Sequence, residues 1–205
     1  EFEPNGWAPY FNSIKMALMA ATIGTAVVFT GAYLIEKGDG LFEARALAHL
    51  LAMLPMAVPG LVLGLGYAFY INATWNPLGI FYGTLGLLAV NTMAHFYTTA
   101  HITAVTALKQ IDREFEAVSA SLQVPFYRTF LRVTVPICMP AILDIAVYMF
   151  VNAMTTVSAV IFLYGANSKL AAISIVHMDE AGATAAAAAM ATVIVATAIA
   201  VKALH

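Results

Sequence analysis

Apolar residues run almost unbroken along this chain, in long stretches parted by short clusters of charge, proline and glycine. A bilayer core about 30 Å thick needs about 20 apolar residues of helix at about 1.5 Å each. Five stretches reach that length, roughly Phe11 to Ile35, Leu47 to Ile71, Leu78 to Leu108, Pro136 to Tyr164 and Thr184 to Leu204. Only helices and closed barrels pair every backbone group in lipid, and these runs are continuous rather than alternating. The pattern therefore predicts one all-α integral membrane domain over residues 1–205, with five transmembrane helices and a polar loop at about 109–135.

Composition agrees, with 62% hydrophobic and 10% charged residues against about 25% charged in soluble domains. Cations set the orientation, because loops rich in Lys and Arg stay in the cytoplasm. With the N-terminus outside, Lys37, Arg45, Lys109, Arg113, Arg128, Arg132 and Lys202 are cytoplasmic and only Lys15 and Lys169 are external, which predicts N-out/C-in. Cys138 is the single cysteine, so neither an internal disulfide nor a cysteine metal cluster is available. The missing initiator Met predicts a fragment or half of a longer chain, with Glu1, Phe2 or His205 as candidate additions, and no signal-peptide cleavage pattern is visible.

The polar loop has its own periodicity. Ile111, Phe115, Val118 and Leu122 recur every three or four residues, with Asp112, Arg113, Glu114 and Glu116 off that stripe. Pro125 ends this helix, and a second from Phe126 to Val133 carries Phe126, Phe130 and Val133. Such a pair either lies on the membrane surface as a connector or plugs a groove in a partner.

Inside the spans, Thr92, His95, Thr99, Thr103 and Thr106 share one helical face, and Asp144, Tyr148, Asn152 and Thr155 another. Polar stripes in lipid serve as interhelical glue or line a path for a polar solute. Candidate path residues are Thr92, His95, Thr99, Tyr148, Asn152 and Thr155. Asp144 is the costliest residue, at about 3 kcal/mol if it sits at midspan. Its expected partner is His101, as a buried structural pair, with Arg132 the alternative. His49, His95, His101 and His177 show no metal spacing. Pro55 and Pro59 should bend the second span, while Gly60 and Gly64 permit close helix approach or a hinge. The piece "LAAISIVHM" is too short to span, so it lies at the outer interface or re-enters the protein.

The segment "EAVSASLQVPFYRTFLRVTVPICMP" resembles the EAA loop of permease subunits of binding-protein-dependent ABC importers. Glu116 and Ala117 match its start, and Phe130, Val133, Pro136 and Pro140 match its end. Counting back from Pro136, Glu116 lies one residue early; the usual glycine falls on Gln123, or on Leu122, and Pro125 is a substitute source of the turn. "LPMAVPGLVLGLG" and the five-span layout are similar to the same family, and "MTTVSAVIFLYG" with "HMDEAGATAAAAAMA" resembles the second half of double-length permeases assigned to 2-aminoethylphosphonate uptake, themselves similar to ferric-iron permeases.

The resemblance implies a permease of the bacterial inner membrane, moving a small polar solute by alternating access. The solute would be 2-aminoethylphosphonate or a related phosphonate, with ferric iron or a polyamine as alternatives. The loop would be the coupling helix, docking an ATPase through Glu116, Ala117, Gln123, Val124, Pro125, Phe126, Tyr127, Phe130 and Pro136. Implied partners are an ABC ATPase dimer, a second permease unit, an external solute-binding protein and membrane lipid, without nucleic acid. ATP and magnesium would belong to the ATPase, since this chain has no GxxxxGK[ST] loop, no nucleophile-and-base set and no cofactor site. Two other classes compete: an ion-coupled transporter using Asp144 and His101, and a structural membrane subunit whose polar stripes are only glue.

Overall fold

The computed structural model describes residues 6–38, 42–112 and 114–205; Glu1, Phe2 and Arg113 of the sequence reading lie outside the described residues. The described residues are helical and carry no named strand. α1 (Ala8–Lys37) is one long helix with a π-turn at Ala20–Gly24. It is followed by α2 (Phe42–Ala57), α3 (Gly60–Ile71), a 3-10 turn at Pro77–Phe81, α4 (Leu85–His95) and α5 (Tyr97–Lys109). Then come α6 (Glu114–Ser121), α7 (Phe126–Ile137), α8 (Met139–Thr155), α9 (Ala171–Glu180) and α10 (Thr184–Ala203).

α1 is the axis of the bundle. Its small residues Ala17, Ala20, Ala21 and Ala32 are buried and let neighbouring backbones approach. α8 packs on its first half and π-turn, and α5 on its second half. Leu88, Leu108, Ile145, Met149 and Ile173 complete a core around it.

α1 and α10 are each long and apolar enough to cross a membrane, and two bent pairs raise the number of candidate spans to four. α2 and α3 meet at 106°, and α7 and α8 at 77°. The bend expected in the second span is present, and the third and fourth spans need correction. The second breaks at Pro59, whose extended conformation (ψ 139°) caps α3, while Pro55 stays inside α2. Proline disfavours helix at the residue before it, and here the chain breaks at Val58 while Leu54, before Pro55, stays helical. The third is not one helix: Thr84 Oγ1 accepts from the Leu87 N–H and starts α4 only at Leu85, and Phe96 interrupts before α5. The fourth starts at Met139 rather than Pro136, which lies in the last turn of α7, and ends at Thr155 rather than Tyr164.

The segment after Thr155 is irregular yet buried, with Ala159, Val160, Leu163 and Leu170 inside. Irregular backbone at membrane depth survives only when protein groups satisfy it. Here Asn91 Nδ2 donates to the Ala159 carbonyl at 2.5 Å, Tyr82 Oη to Phe162 at 2.7 Å, and Asn12 Nδ2 to Asn167 and Lys169 at 3.0 and 3.2 Å. Ser13 Oγ accepts from Ala171 N–H at 2.9 Å and seats α9 beside α1, so "LAAISIVHM" folds back into the bundle.

Gly60 and Gly64 receive this loop rather than a helix. A Cβ on Gly64 would strike the Ala159 carbonyl oxygen, and one on Gly60 would lie 2.6 Å from Ser158 Oγ. Gly66, on the same helix, faces open space. Gly64→Ala should therefore cost about 1–3 kcal/mol through overpacking, whereas Gly66→Ala should be neutral or gain up to about 1 kcal/mol from helix propensity. Thermal unfolding of the two purified variants checks this, and equal melting temperatures would contradict the close approach.

Candidate functional site

The polar loop folds as two helices at the expected places, except that Ile111 lies buried ahead of α6 and α7 runs past Val133 to Ile137, and its local causes are visible. Asp112 Oδ1 accepts from the Glu114 N–H at 3.1 Å, and Glu114 and Glu116 in the first turn of α6 complement its dipole. The helix ends in a Schellman motif: Val124 N–H donates to Ser119 O at 2.9 Å and Gln123 N–H to Ala120 O at 3.0 Å. Gln123 takes φ +55°, the left-handed conformation that favours glycine, and is the sole non-glycine residue to do so among those described. Of the two positions at which the resemblance would put a glycine, Gln123 and not Leu122 has the left-handed backbone. Pro125 then caps α7 with ψ 139°. Both residues make the turn, in sequence.

Two contacts fasten this unit to the end of α1. Lys37 Nζ lies 3.2 and 3.3 Å from the two carboxylate oxygens of Glu116 and donates to Ile111 O at 3.2 Å. Its side chain is 6% exposed. Beside it, the Phe130 ring packs 4.6 Å from Tyr33 and 6.0 Å from Phe29 between centroids. Ser119 and Thr129 hydroxyls join α6 to α7.

The other face is bare. Phe115, Val118 and Leu122 of α6, with Val124, Arg128, Thr129, Arg132 and Val133, line a groove of about 670 Å³. Leu122 is 70% exposed and Phe126 67%. The residues named for docking thus divide: Ala117, Gln123, Val124, Pro125, Phe126, Tyr127 and Pro136 are exposed, while Glu116 and Phe130 turn inward as anchors.

The polar stripes divide too. Thr92 is buried with its hydroxyl 3.7 Å from Met16 Sδ, and it alone of the six path candidates makes a side-chain hydrogen bond to another helix among the described residues. Asn152 Nδ2 donates to Tyr148 O at 2.8 Å and Thr155 Oγ1 to Val151 O at 3.2 Å, within α8. Thr99 and Thr155 are exposed, and His95 and Tyr148 half-buried around Phe96, whose ring meets Tyr148 edge-on at 6.1 Å. Among the described residues, interhelical hydrogen bonding accounts for Thr92 only.

The expected Asp144–His101 pair is a correction. Asp144 sits on the outside of α8, 62% exposed, with Oδ1 3.4 Å from His205 Nε2. His101 is fully buried, and its Nε2 faces His49 Nδ1 at 3.3 Å. Asp144 lies little more than a turn into α8, close to the chain end after α10, so it escapes the burial that would have demanded a partner. The His49–His101 and Lys37–Glu116 contacts join residues far apart in sequence; the only sequence signal was a lone cation and a lone histidine at span ends.

Known proteins bear on this geometry. The chain is similar to transport permeases. It is 30% identical over 86% of its length to the ferric transport system permease protein FbpB of Actinobacillus pleuropneumoniae, and 31% over 80% to a Haemophilus influenzae protein bearing the same ferric transport name, FbpB 1. A Helicosporidium protein, cysT, whose name assigns it to sulfate transport, is 27% identical over 80% of the chain. The chain spans 25% of the length of each of the two ferric relatives. No family model matches it.

The ion pair generates a prediction. Removing one partner of a buried pair strands the other charge and costs about 3–5 kcal/mol, while replacing both with apolar groups is close to neutral. Glu116 is 26% exposed, which places the cost of Lys37→Met, the variant that strands it, at the lower end of that range. Glu116→Met, which strands the 6%-exposed ammonium of Lys37, should be worse, and Lys37→Met/Glu116→Met should recover most of the loss. Denaturation midpoints of the three variants read the outcome; additive losses in the double variant would show that the pair carries no coupling.

Proposed function

We propose that the chain is a transmembrane permease unit of a binding-protein-dependent ABC importer, with α6 and α7 as its ATPase-docking element. One observation carries this reading: a helix pair clamped to the end of the central helix α1 leaves its apolar groove uncovered. A helix pair serving only as a connector would turn that stripe toward lipid or the bundle. A groove holding the exposed Phe115 and bordered by Asp112, Glu114, Arg128 and Arg132, with Phe126 exposed beside it, has the composition of a docking surface.

Similarity to permeases over most of the chain supports the same reading. The cations Lys37, Lys109, Arg128, Arg132 and Lys202 gather at the docking end, which the positive-inside rule assigns to the cytoplasm, giving N-out/C-in. α10 buries only Ala187 and Ile194 of its length, and Thr99 and Thr155 stand on open surface. These faces fit a second permease unit that closes a shared solute path. The relatives' names favour ferric iron over the 2-aminoethylphosphonate expected from the C-terminal motifs, and the sulfate relative keeps small anions within the class. Hydrolysis of ATP would lie with a separate subunit. The ion-coupled alternative loses its support, because Asp144 and His101 have different partners.

Phe126→Ala should weaken retention of the ATPase by about 2 kcal/mol, roughly 30-fold, and Ala117→Trp should block docking sterically. Both positions are exposed, so both variants should insert and fold as the parent does. Phe130→Ala should instead loosen α7 from α1. Pull-down of the ATPase with each purified permease checks the proposal; unchanged retention by the first two variants would reduce α6 and α7 to a connector.

A further inference from the structure

His49 on α2 and His101 on α5 are 52 residues apart in sequence, yet His49 Nδ1 and His101 Nε2 lie 3.3 Å from each other. The rings meet edge-on at 63°, and His101 stacks at 5.6 Å on Tyr97. On its other side His49 presents Nε2 at 4.0 Å to Glu36 Oε2, near the end of α1. His101 is fully buried and its Nδ1 has no partner. A chain Glu36, His49, His101 thus ties α1, α2 and α5 together at the end of the bundle that carries the docking helices.

Proton counting decides what this contact can do. Two imidazole nitrogens facing each other hold one proton between them, one donating and the other accepting. With both rings neutral, His101 Nε2–H donates to His49 Nδ1, and His49 Nε2–H points at Glu36. One added proton is accommodated on His49 when His101 moves its own hydrogen to Nδ1, so that His101 Nε2 accepts and His49 donates from both nitrogens. A second cannot be: both facing nitrogens then carry hydrogen, and two cations stand against each other. The surrounding charges do not relieve that state. Lys37 of α1 is engaged by Glu116, Arg45 of α2 adds positive charge one turn from His49, and Asp144, the only acid of α8, lies outside beside His205. His95 of α4 sits at Gly60 instead. A metal lacks its third ligand, since Glu36 approaches the far nitrogen of His49 and the described residues contain no cluster of three ligands.

We propose that His49 and His101 form a proton-sensitive clasp, which holds α2 against α1 and α5 and releases it when both rings are protonated. α2 is the arm that can move: it leaves α3 at 106° across Val58 and Pro59, and its other polar tie, Thr98 Oγ1 to Ala52 O at 2.7 Å, does not titrate. Release would tilt α2 about that tie and the Pro59 break, beside the docking helices. The clasp stands independently of the transport reading.

Spin labels at Leu51 of α2 and Ile199 of α10, both exposed, report the arm in lipid nanodiscs. Between about pH 8 and pH 5, where imidazoles titrate, the parent should pass from one narrow distance distribution to a shifted or broadened one. His101→Gln, which can still donate to His49 but does not titrate, should keep the narrow distribution throughout. His49→Gln, at a half-buried position that tolerates an amide, should do the same. An unchanged distribution in the parent across this range, or a full pH response surviving in both variants, would overturn the clasp.

Discussion

An ammonium taken out of water at the end of α1 is the constraint from which the functional arrangement follows. Lys37 terminates a helix that crosses the whole core, and its charge must be met where the chain leaves the bundle. It is met by three oxygens from the loop between α5 and α7: the Ile111 carbonyl and both oxygens of Glu116. Because Glu116 opens α6, satisfying one charge also sets the position of the helix pair. Phe130 on Tyr33 and Phe29 adds an apolar clamp on α7, so both loop helices are indexed to one rigid axis. A push on their outer face reaches α1, and through α1 the helices α5 and α8 that pack along it.

A second constraint shapes the interior. Helices in lipid are the easy way to pair backbone groups, yet this chain interrupts them at Pro59, Phe96 and after Thr155. The last of these exposes backbone that protein side chains must satisfy, which gives Asn12, Ser13, Tyr82 and Asn91 their tasks. The interruptions gather near one another: Gly60 touches Ser158 and His95. Breaks of this kind make a span able to bend, and they bring polar groups to a depth where lipid alone would forbid them.

The sequence disclosed whatever depends on local pattern. Helical class, the beginning and end of α10, the two loop helices with their stripe of Phe115, Val118 and Leu122, and the break near Pro59 all follow from spacing and from proline. Pairings between distant residues were beyond it. Asp144 looked like a charge in need of His101 because periodicity assigns depth along a helix but not the direction a side chain faces. The loop after Thr155 looked helical because apolar residues that line a buried irregular segment have the composition of a span. Gln123 is intermediate: counting back from Pro136 marked it as one of two glycine-like positions, and only backbone geometry separates it from Leu122.

The proposed role of the bare face of α6 and α7, as the place where an ATPase partner would dock, is tested most directly by a photo-reactive amino acid placed at Phe126 in the protein in its native membrane. Illumination should join the permease to the ATPase subunit, and the yield should change when ATP binds. Adducts confined to lipid, with none to the ATPase in a complex that still transports, would contradict the account.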